Sequence, residues 1–323
     1  MRSRGKATSA RGRRARRGSA LLLAMVVLTL VATLASAMVW QQQRAIQVEA
    51  AERARTQAGL ILLGALDWAR LLLREDNRTG GSDHLGEPWA VPLAEARLST
   101  FLAADRDPTA DDGPEAFLSG RIDDLQAHYN VSNLLGPEGK VVPAELAVLQ
   151  RLCDFAGAPS DTAERIANGM VASMAQDEPQ RPLPPRRFNQ LTWLGVSADT
   201  LRQLAPFVTL LPEPTPVNLN TAPREVIAAA IDGLDLGTAE RLVQRRQRTP
   251  FASMDDALKE LPPKTELSEG RVAVTTRFFE VTGRLRLDTH VLEEHSTVER
   301  AAGRGGEVVA LWRERRSATA AGP

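Results

Sequence analysis

The sequence has 323 residues, 43% of them hydrophobic, with 40 basic and 40 acidic side chains and a formal net charge of zero. That length buries a sizeable core and suits two lobes, and the single cysteine, Cys153, excludes an intramolecular disulfide. The charge is unevenly split: residues 1–18 hold eight basic residues and no acid, leaving 32 Lys+Arg against 40 Asp+Glu, a net −8, in the remainder, which argues against a general nucleic-acid binder.

Catalysis finds little to rest on. Cys153, beside Leu152 and Phe155, reads as a buried thiol, and His84, His128, His290 and His295 show no close ligand spacing. There is no CxxC, HExxH, GxSxG or phosphate-loop motif, so the chain is not expected to be an enzyme.

The first predicted element is the uncharged run Ser19 to Trp40, 22 residues long. As a helix it spans roughly 33 Å, enough for the ~30 Å hydrocarbon core. The basic block before it predicts an N-terminus held in the cytoplasm and an exported remainder. Three readings of the processing stand open. Ala35-Ser36-Ala37 has the small-x-small form of a secretory cleavage site. An uncleaved anchor is the plainest reading. The junction Arg16-Arg17-Gly18/Ser19-Ala20-Leu21-Leu22-Leu23 resembles a type IV prepilin site, where a basic leader ends in Gly and the new N-terminus opens the apolar helix. The length of the run, and its passage into further helix, favour the prepilin reading. Prepilins usually carry Glu at the fifth residue after the cut; here that residue is Leu23. A carboxylate at that depth is costly unless paired, and the resemblance implies that it pairs with the amine of the preceding subunit. A subunit with Leu23 lacks that contact, as a tip subunit would.

From Gln41 to Glu75 the helix continues, with Glu49 and Arg53 as an i, i+4 pair. Ala58, Ile61, Ala65, Trp68 and Leu72 predict one buried stripe, broadened by Leu62, Leu66 and Leu73. Residues 83–92 read as a loop containing Glu87-Pro88-Trp89, and 104–114 as an acidic, turn-rich loop. Phe117 to Asp123 reads as a strand. Asn130 and Asn133 are expected to hold a tight turn after it.

Pro143 to Phe155 and Asp161 to Met174 read as helices, with Asp161 and Thr162 as candidate caps of the second. A Pro-rich linker covers 176–187. Phe188 to Leu204 reads as a helix pair turning at Gly195. In Asn218-Leu219-Asn220-Thr221-Ala222-Pro223, Thr221 is placed to cap a helix through Ile231, and further helices follow at 238–248 and 254–261. Asp161-Thr162-Ala163-Glu164-Arg165-Ile166 echoes Gly237-Thr238-Ala239-Glu240-Arg241-Leu242, which suggests a duplicated helix–hairpin–helix unit. The strict alternation in Phe279 to Leu287, with Val291 to Arg300 and Glu307 to Arg315 after it, predicts an antiparallel meander turning at Asp288-Thr289 and Gly303–Gly306.

As a set, these features resemble the large minor pseudopilins of type II secretion, the GspK family: the prepilin-like junction, Leu23, the Glu-Pro-Trp segment, Ile122 to Leu135, the Asn218 to Pro223 motif and the terminal meander. Ser132 departs from the family, which often has a second Asn there. The fold implied is α+β: a pilin-like long N-terminal helix packed on an antiparallel sheet, with a large all-α insertion of helix–hairpin–helix or SAM-like units. The expected parts are a leader 1–18, a transmembrane half-helix 19–40, a first pilin part 41–135, an insertion 136–268 and C-terminal strands 269–323.

The implied function is to form the tip of the pseudopilus in protein export across the outer membrane. Prepilin peptidase would cut between Gly18 and Ser19 and methylate Ser19. The stripe Ile46, Ala50 and Ala54 would pack on GspI and GspJ, with GspH and GspG reached through the pilus, the anchor in the inner membrane and the bulk in the periplasm. The resemblance also implies calcium, with Asp123, Asp124 and Asp288 as candidate ligands, against the plain reading of solvated turn carboxylates. The alternative is an exported, membrane-anchored helix–hairpin–helix protein of the competence type that binds DNA. The Gly233–Gly237 hairpin spaces its glycines too widely for that and holds Asp235 between them; no nucleic-acid partner is expected.

Overall fold

The computed structural model describes residues 11–98, 116–175, 181–263, 265, 267, 270–287, 290–301 and 306–319. The chain divides into two units, Met1–Leu60 and Ile61–Pro323. One unbroken helix, α1, covers Arg11–Thr79. In the first unit its apolar residues from Leu21 to Trp40 are exposed, as a membrane-facing surface requires. The stretch Ala20–Thr79 is long and apolar enough to cross a membrane by length and composition. Glu49 and Arg53 form the expected pair.

The second unit contains a five-stranded antiparallel sheet in the order β1-β2-β7-β8-β9. Its strands are β1 (Leu93–Arg97), β2 (Ala116–Asp124), β7 (Phe278–Leu287), β8 (His290–Arg300) and β9 (Val308–Thr319). The chain therefore leaves the sheet after β2 and re-enters beside it, because the first partner of β2 is β7: Asp124 opposes Phe279 and Ala116 opposes Leu287. Leu66, Ala69 and Leu73 of α1 pack with Trp89, Ile122, Phe279, Val281, Val298 and Val308 in one core. Leu62 is buried on the same face. Its Cδ2 leaves 3.1 Å for a Cβ on Gly283, so glycine there allows helix and sheet to approach. Of the expected stripe, Ala58 and the broadening residues Leu62, Leu66 and Leu73 are buried, with Ala69 beside them, while Trp68 is 56% exposed.

Between β2 and β7 lie α2 (Pro143–Ala156), α3 (Thr162–Met174), α4 (Ala198–Leu204), α5 (Arg224–Ala230), α6 (Leu236–Arg248) and α7 (Met254–Lys259). A 3₁₀ segment, Phe188–Leu194, turns through Gly195 (φ +83°) into α4. The echo in sequence is an echo in structure. Each helix pair, α2/α3 and α5/α6, is joined by a turn with a left-handed glycine, Gly157 (φ +66°) and Gly233 (φ +74°), and α2 packs on α5. One core joins Val148, Leu152, Cys153, Ile166, Ile227 and Leu242 of this lobe with Tyr129 and Val131 before it and Val274 after it. Two short parallel pairings close its base: β3 (Tyr129–Asn130) with β4 (Val208–Thr209), and β5 (Val217–Asn218) with β6 (Val272–Ala273).

Local capping differs from expectation at two helices. Asp161 occupies the N-cap position of α3, but its carboxylate makes no cap bond and pairs with Arg165. Thr221 does not cap α5, whose N-cap is Pro223. Its hydroxyl is used elsewhere, as described below.

Candidate functional site: the lobe–sheet junction and the anchor helix

Asn130 and Asn133 are clamps as much as turn formers. Asn130 Oδ1 accepts from Ser132 N at 3.0 Å, the local turn, and also from Leu211 N at 3.0 Å, while its amide donates to Glu213 O at 2.7 Å. Asn133 is not local: it donates to Thr215 O and accepts from Thr215 N, both at 2.9 Å. Each replaces a missing backbone partner for the segment that leads into β5.

Asp123 and Asp124 are neighbours on β2, so their side chains leave opposite faces of the sheet. Asp123 accepts from Arg121 Nε at 2.6 Å on a half-exposed face. Asp124 is buried and accepts four hydrogen bonds. They come from Thr221 Oγ1 at 2.6 Å, Thr276 Oγ1 at 2.7 Å, Asn218 Nδ2 at 2.9 Å and Gln126 N at 2.7 Å. Burial raises its pKa, and these bonds oppose the rise. Asp288 lies outside the described residues. Asp123 and Asp124 do not converge as a ligand pair, and the oxygens of Asp124 are already taken by protein donors.

A second polar cluster adjoins the first. Arg300 on β8 donates to Asp76 at 2.8 Å, to Asp83 at 2.5 Å and to Thr276 O at 2.7 Å. Asp83 also accepts from Thr276 N at 2.7 Å. Asn218 donates to Asp83 O at 3.1 Å, which joins the two clusters. Glu87 sits next to Asp76 and Asp83, with one oxygen from each of the three within 4.8 Å of the others. Glu87 accepts from His84 N and Trp89 Nε1, both at 2.8 Å, and burial pushes its pKa up to about 7. Burial also raises Asp83, against the pull of Arg300. Trp89 itself is buried edge-on against Phe279, ring centroids 5.2 Å apart. The Glu-Pro-Trp segment thus ties the end of α1 to the sheet. Asp83, Thr276 and Arg300 were not found by sequence reasoning, and no local signal marks them.

The hairpin between α5 and α6 is closed to an external anion. Asp235 caps α6, accepting from Thr238 N at 2.9 Å and from Thr238 Oγ1 at 2.8 Å. A phosphate would have to displace this internal carboxylate, which already occupies the positive end of the helix. Cys153 is buried, and burial pushes its thiol up to about 11, which leaves it protonated and unreactive at neutral pH.

The sequence-predicted processing residues fall on α1: Gly18 and Ser19 on its backbone, and Leu23 exposed along its apolar stretch. A single N-terminal helix with a membrane-length apolar run, and an antiparallel sheet on which that same helix is packed from Ile61 onward, define a pilin-like protein with a helical insertion. Residues 217–276 match the family model of "Type II secretion system (T2SS), protein K". A relative from Pseudomonas aeruginosa, type II secretion system protein K, is 32% identical over 94% of this chain and 93% of its own length. Another of that name from Pectobacterium carotovorum is 27% identical over 84% of this chain and 88% of its own. The crystal structure of the GspK-GspI-GspJ complex from the enterotoxigenic Escherichia coli type 2 secretion system matches the fold with a TM-score of 0.65 at 18% identity, covering 82% of this chain and 98% of that one. The chain belongs to the type II secretion system protein K family, the GspK pseudopilins. Its role is in protein transport, and its N-terminal apolar helix fits a membrane anchor.

Proposed function

We propose that this protein is the tip subunit of a type II secretion pseudopilus. It would be anchored in the inner membrane by the apolar part of α1, with its sheet and helical lobe in the periplasm. The observation that carries the tip position is Leu23, which stands where a subunit inside the filament offers a carboxylate to the subunit ahead. Prepilin peptidase cuts between Gly18 and Ser19 and methylates Ser19. GspI and GspJ are the neighbours, because the similar fold was solved in a complex of those three chains. Their helices would pack along Ile46, Ala50 and Ala54 of α1, and GspH and GspG follow through the pilus. The role is steric: a subunit that lacks the carboxylate and carries a bulky lobe ends the stack. The competence-type reading, a DNA-binding hairpin, is disfavoured by the Asp235 cap. Calcium is not assigned to Asp123 and Asp124, whose side chains leave opposite faces of β2.

The test is the N-terminal residue of the mature protein, read by mass spectrometry from membranes with and without the peptidase. Ser19, methylated and peptidase-dependent, is the expected result. A start at Met38 makes the protein a soluble periplasmic one and overturns the tip reading. An uncleaved Met1 leaves a plain anchor and overturns the processing.

A further inference from the structure

Asp124 is a buried point where the sheet and the helical lobe meet, in addition to the more exposed ion pairs Arg187–Glu314 and Arg277–Glu213. It lies at the end of β2. Two of its donors, Asn218 and Thr221, belong to the segment that opens the second half of the lobe, and a third, Thr276, stands where the chain leaves the lobe for β7. We infer that Asp124 is a latch that sets the orientation of the helical lobe on the sheet, and that the Asn218-Leu219-Asn220-Thr221 motif serves this docking. The part that concerns secretion rests on the proposed function.

Three observations support it. The four donors to Asp124 are all neutral, so the carboxylate is held by directional hydrogen bonds and not by an ion pair that tolerates displacement. A shift of the lobe would strip donors from a buried carboxylate, a cost far above that of an ordinary surface contact. The second concerns where these donors lie in the chain. The segment that matches the protein K family model runs from 217 to 276, and the residues next to its start and at its end, Asn218 and Thr276, both bond Asp124. Third, Asn220 ties the same motif inward: it donates to Phe251 O and accepts from Phe251 N, both at 2.9 Å. The motif therefore holds the lobe with Asn220 and the sheet with Asn218 and Thr221.

The test uses the full chain in detergent with nitroxide labels at Glu164→Cys on α3 and Arg313→Cys on β9, both exposed positions. Distances between them are read by pulsed electron paramagnetic resonance. The unaltered junction should give one narrow distribution. Thr221→Val keeps the volume and removes the hydroxyl, and should at least double the width. Thr221→Ser restores the hydroxyl and should restore the width. Asp124→Leu should widen the distribution further; if it does not fold, the Thr221 pair still decides. A lowered melting temperature with unchanged width in Thr221→Val overturns the latch and leaves a stabilising contact only. In cells, Thr221→Val present in membranes at the unaltered level should cut secretion at least fivefold, with Thr221→Ser rescuing it. Normal secretion with a widened distribution overturns the functional half. Normal secretion on deletion of the whole protein would instead overturn the proposed function, so the two failures are distinguishable.

Discussion

Replacing Glu87 by Gln should make the protein more stable at pH 8 and leave it nearly unchanged near pH 4. Glu87 holds its proton up to about pH 7 because it is half-buried beside Asp76 and Asp83. An unfolded Glu releases its proton near 4.3. The folded-state pKa is raised, so the sign is fixed: the contribution is fully present below the unfolded value and is lost as pH rises through about 7. Each pH unit in that window is worth about 1.4 kcal/mol for a fully buried group. Glu87 is partly exposed and shares its titration with its neighbours, so the loss across the window is reduced to about 1–2 kcal/mol. Glu87→Gln resembles the protonated side chain and keeps an acceptor for Trp89 Nε1 and His84 N. The curves should therefore converge near pH 4 and separate by about 1–2 kcal/mol at pH 8, or roughly 3–6 °C in Tm for a body of this size. Asp83 and Asp124 have the same sign of shift but are present in both proteins, so the difference isolates Glu87. The assay is thermal or urea unfolding from about pH 4 to 8, followed by tryptophan fluorescence, since Trp89 donates to the titrating group. Parallel curves, or a variant less stable than the parent at pH 8, would refute the reasoning.

Further perturbations test other parts of the fold. Leu73→Ala, at a fully buried position under the sheet, should lower unfolding stability by about 2–5 kcal/mol in urea titrations. Asn133→Ala strands both backbone groups of Thr215 and should cost about 1–3 kcal/mol, with faster amide exchange at 211–215 seen by mass spectrometry. Asp235→Ala removes the cap of α6 and should lower the melting temperature; retained stability by calorimetry would contradict the cap. Leu23→Glu should leave the melting of the second unit, Ile61–Pro323, unchanged, because Leu23 lies in the other unit of the chain.

The elements were legible where a local rule forms them. The alternation of Phe279 to Leu287 gave β7 to within one residue, Phe278–Leu287. Pro143 opened α2 at its first residue because its fixed φ suits a first turn. The short strand β1, Leu93–Arg97, was missed: it carries no strong β pattern and exists because β2 offers it an edge. Trp68 was misplaced because the 3.6-residue period leaves two adjacent stripes almost equally apolar, and only the sheet below selects Leu62, Leu66, Ala69 and Leu73.

The candidate site was legible in its residue types and not in its partners. Asn130, Asn133, Asn218 and Thr221 all invite local readings, as turn formers and caps, because their short polar side chains satisfy nearby backbone. In the structure their decisive bonds reach across 81 to 97 residues: Asn130 to Leu211, Asn133 to Thr215, Asn218 and Thr221 to Asp124. A local rule cannot choose between a cap and such a contact, since the hydroxyl of Thr221 is equally competent for both. What decides is the buried carboxylate of Asp124, which needs donors once the lobe closes over it and draws them from whichever chain is nearest. The same logic separates the two carboxylates expected to act together. Asp123 and Asp124 look like a ligand pair in sequence, but a strand separates adjacent side chains by its pleat. One of them becomes a surface partner of Arg121 and the other becomes the centre of the junction.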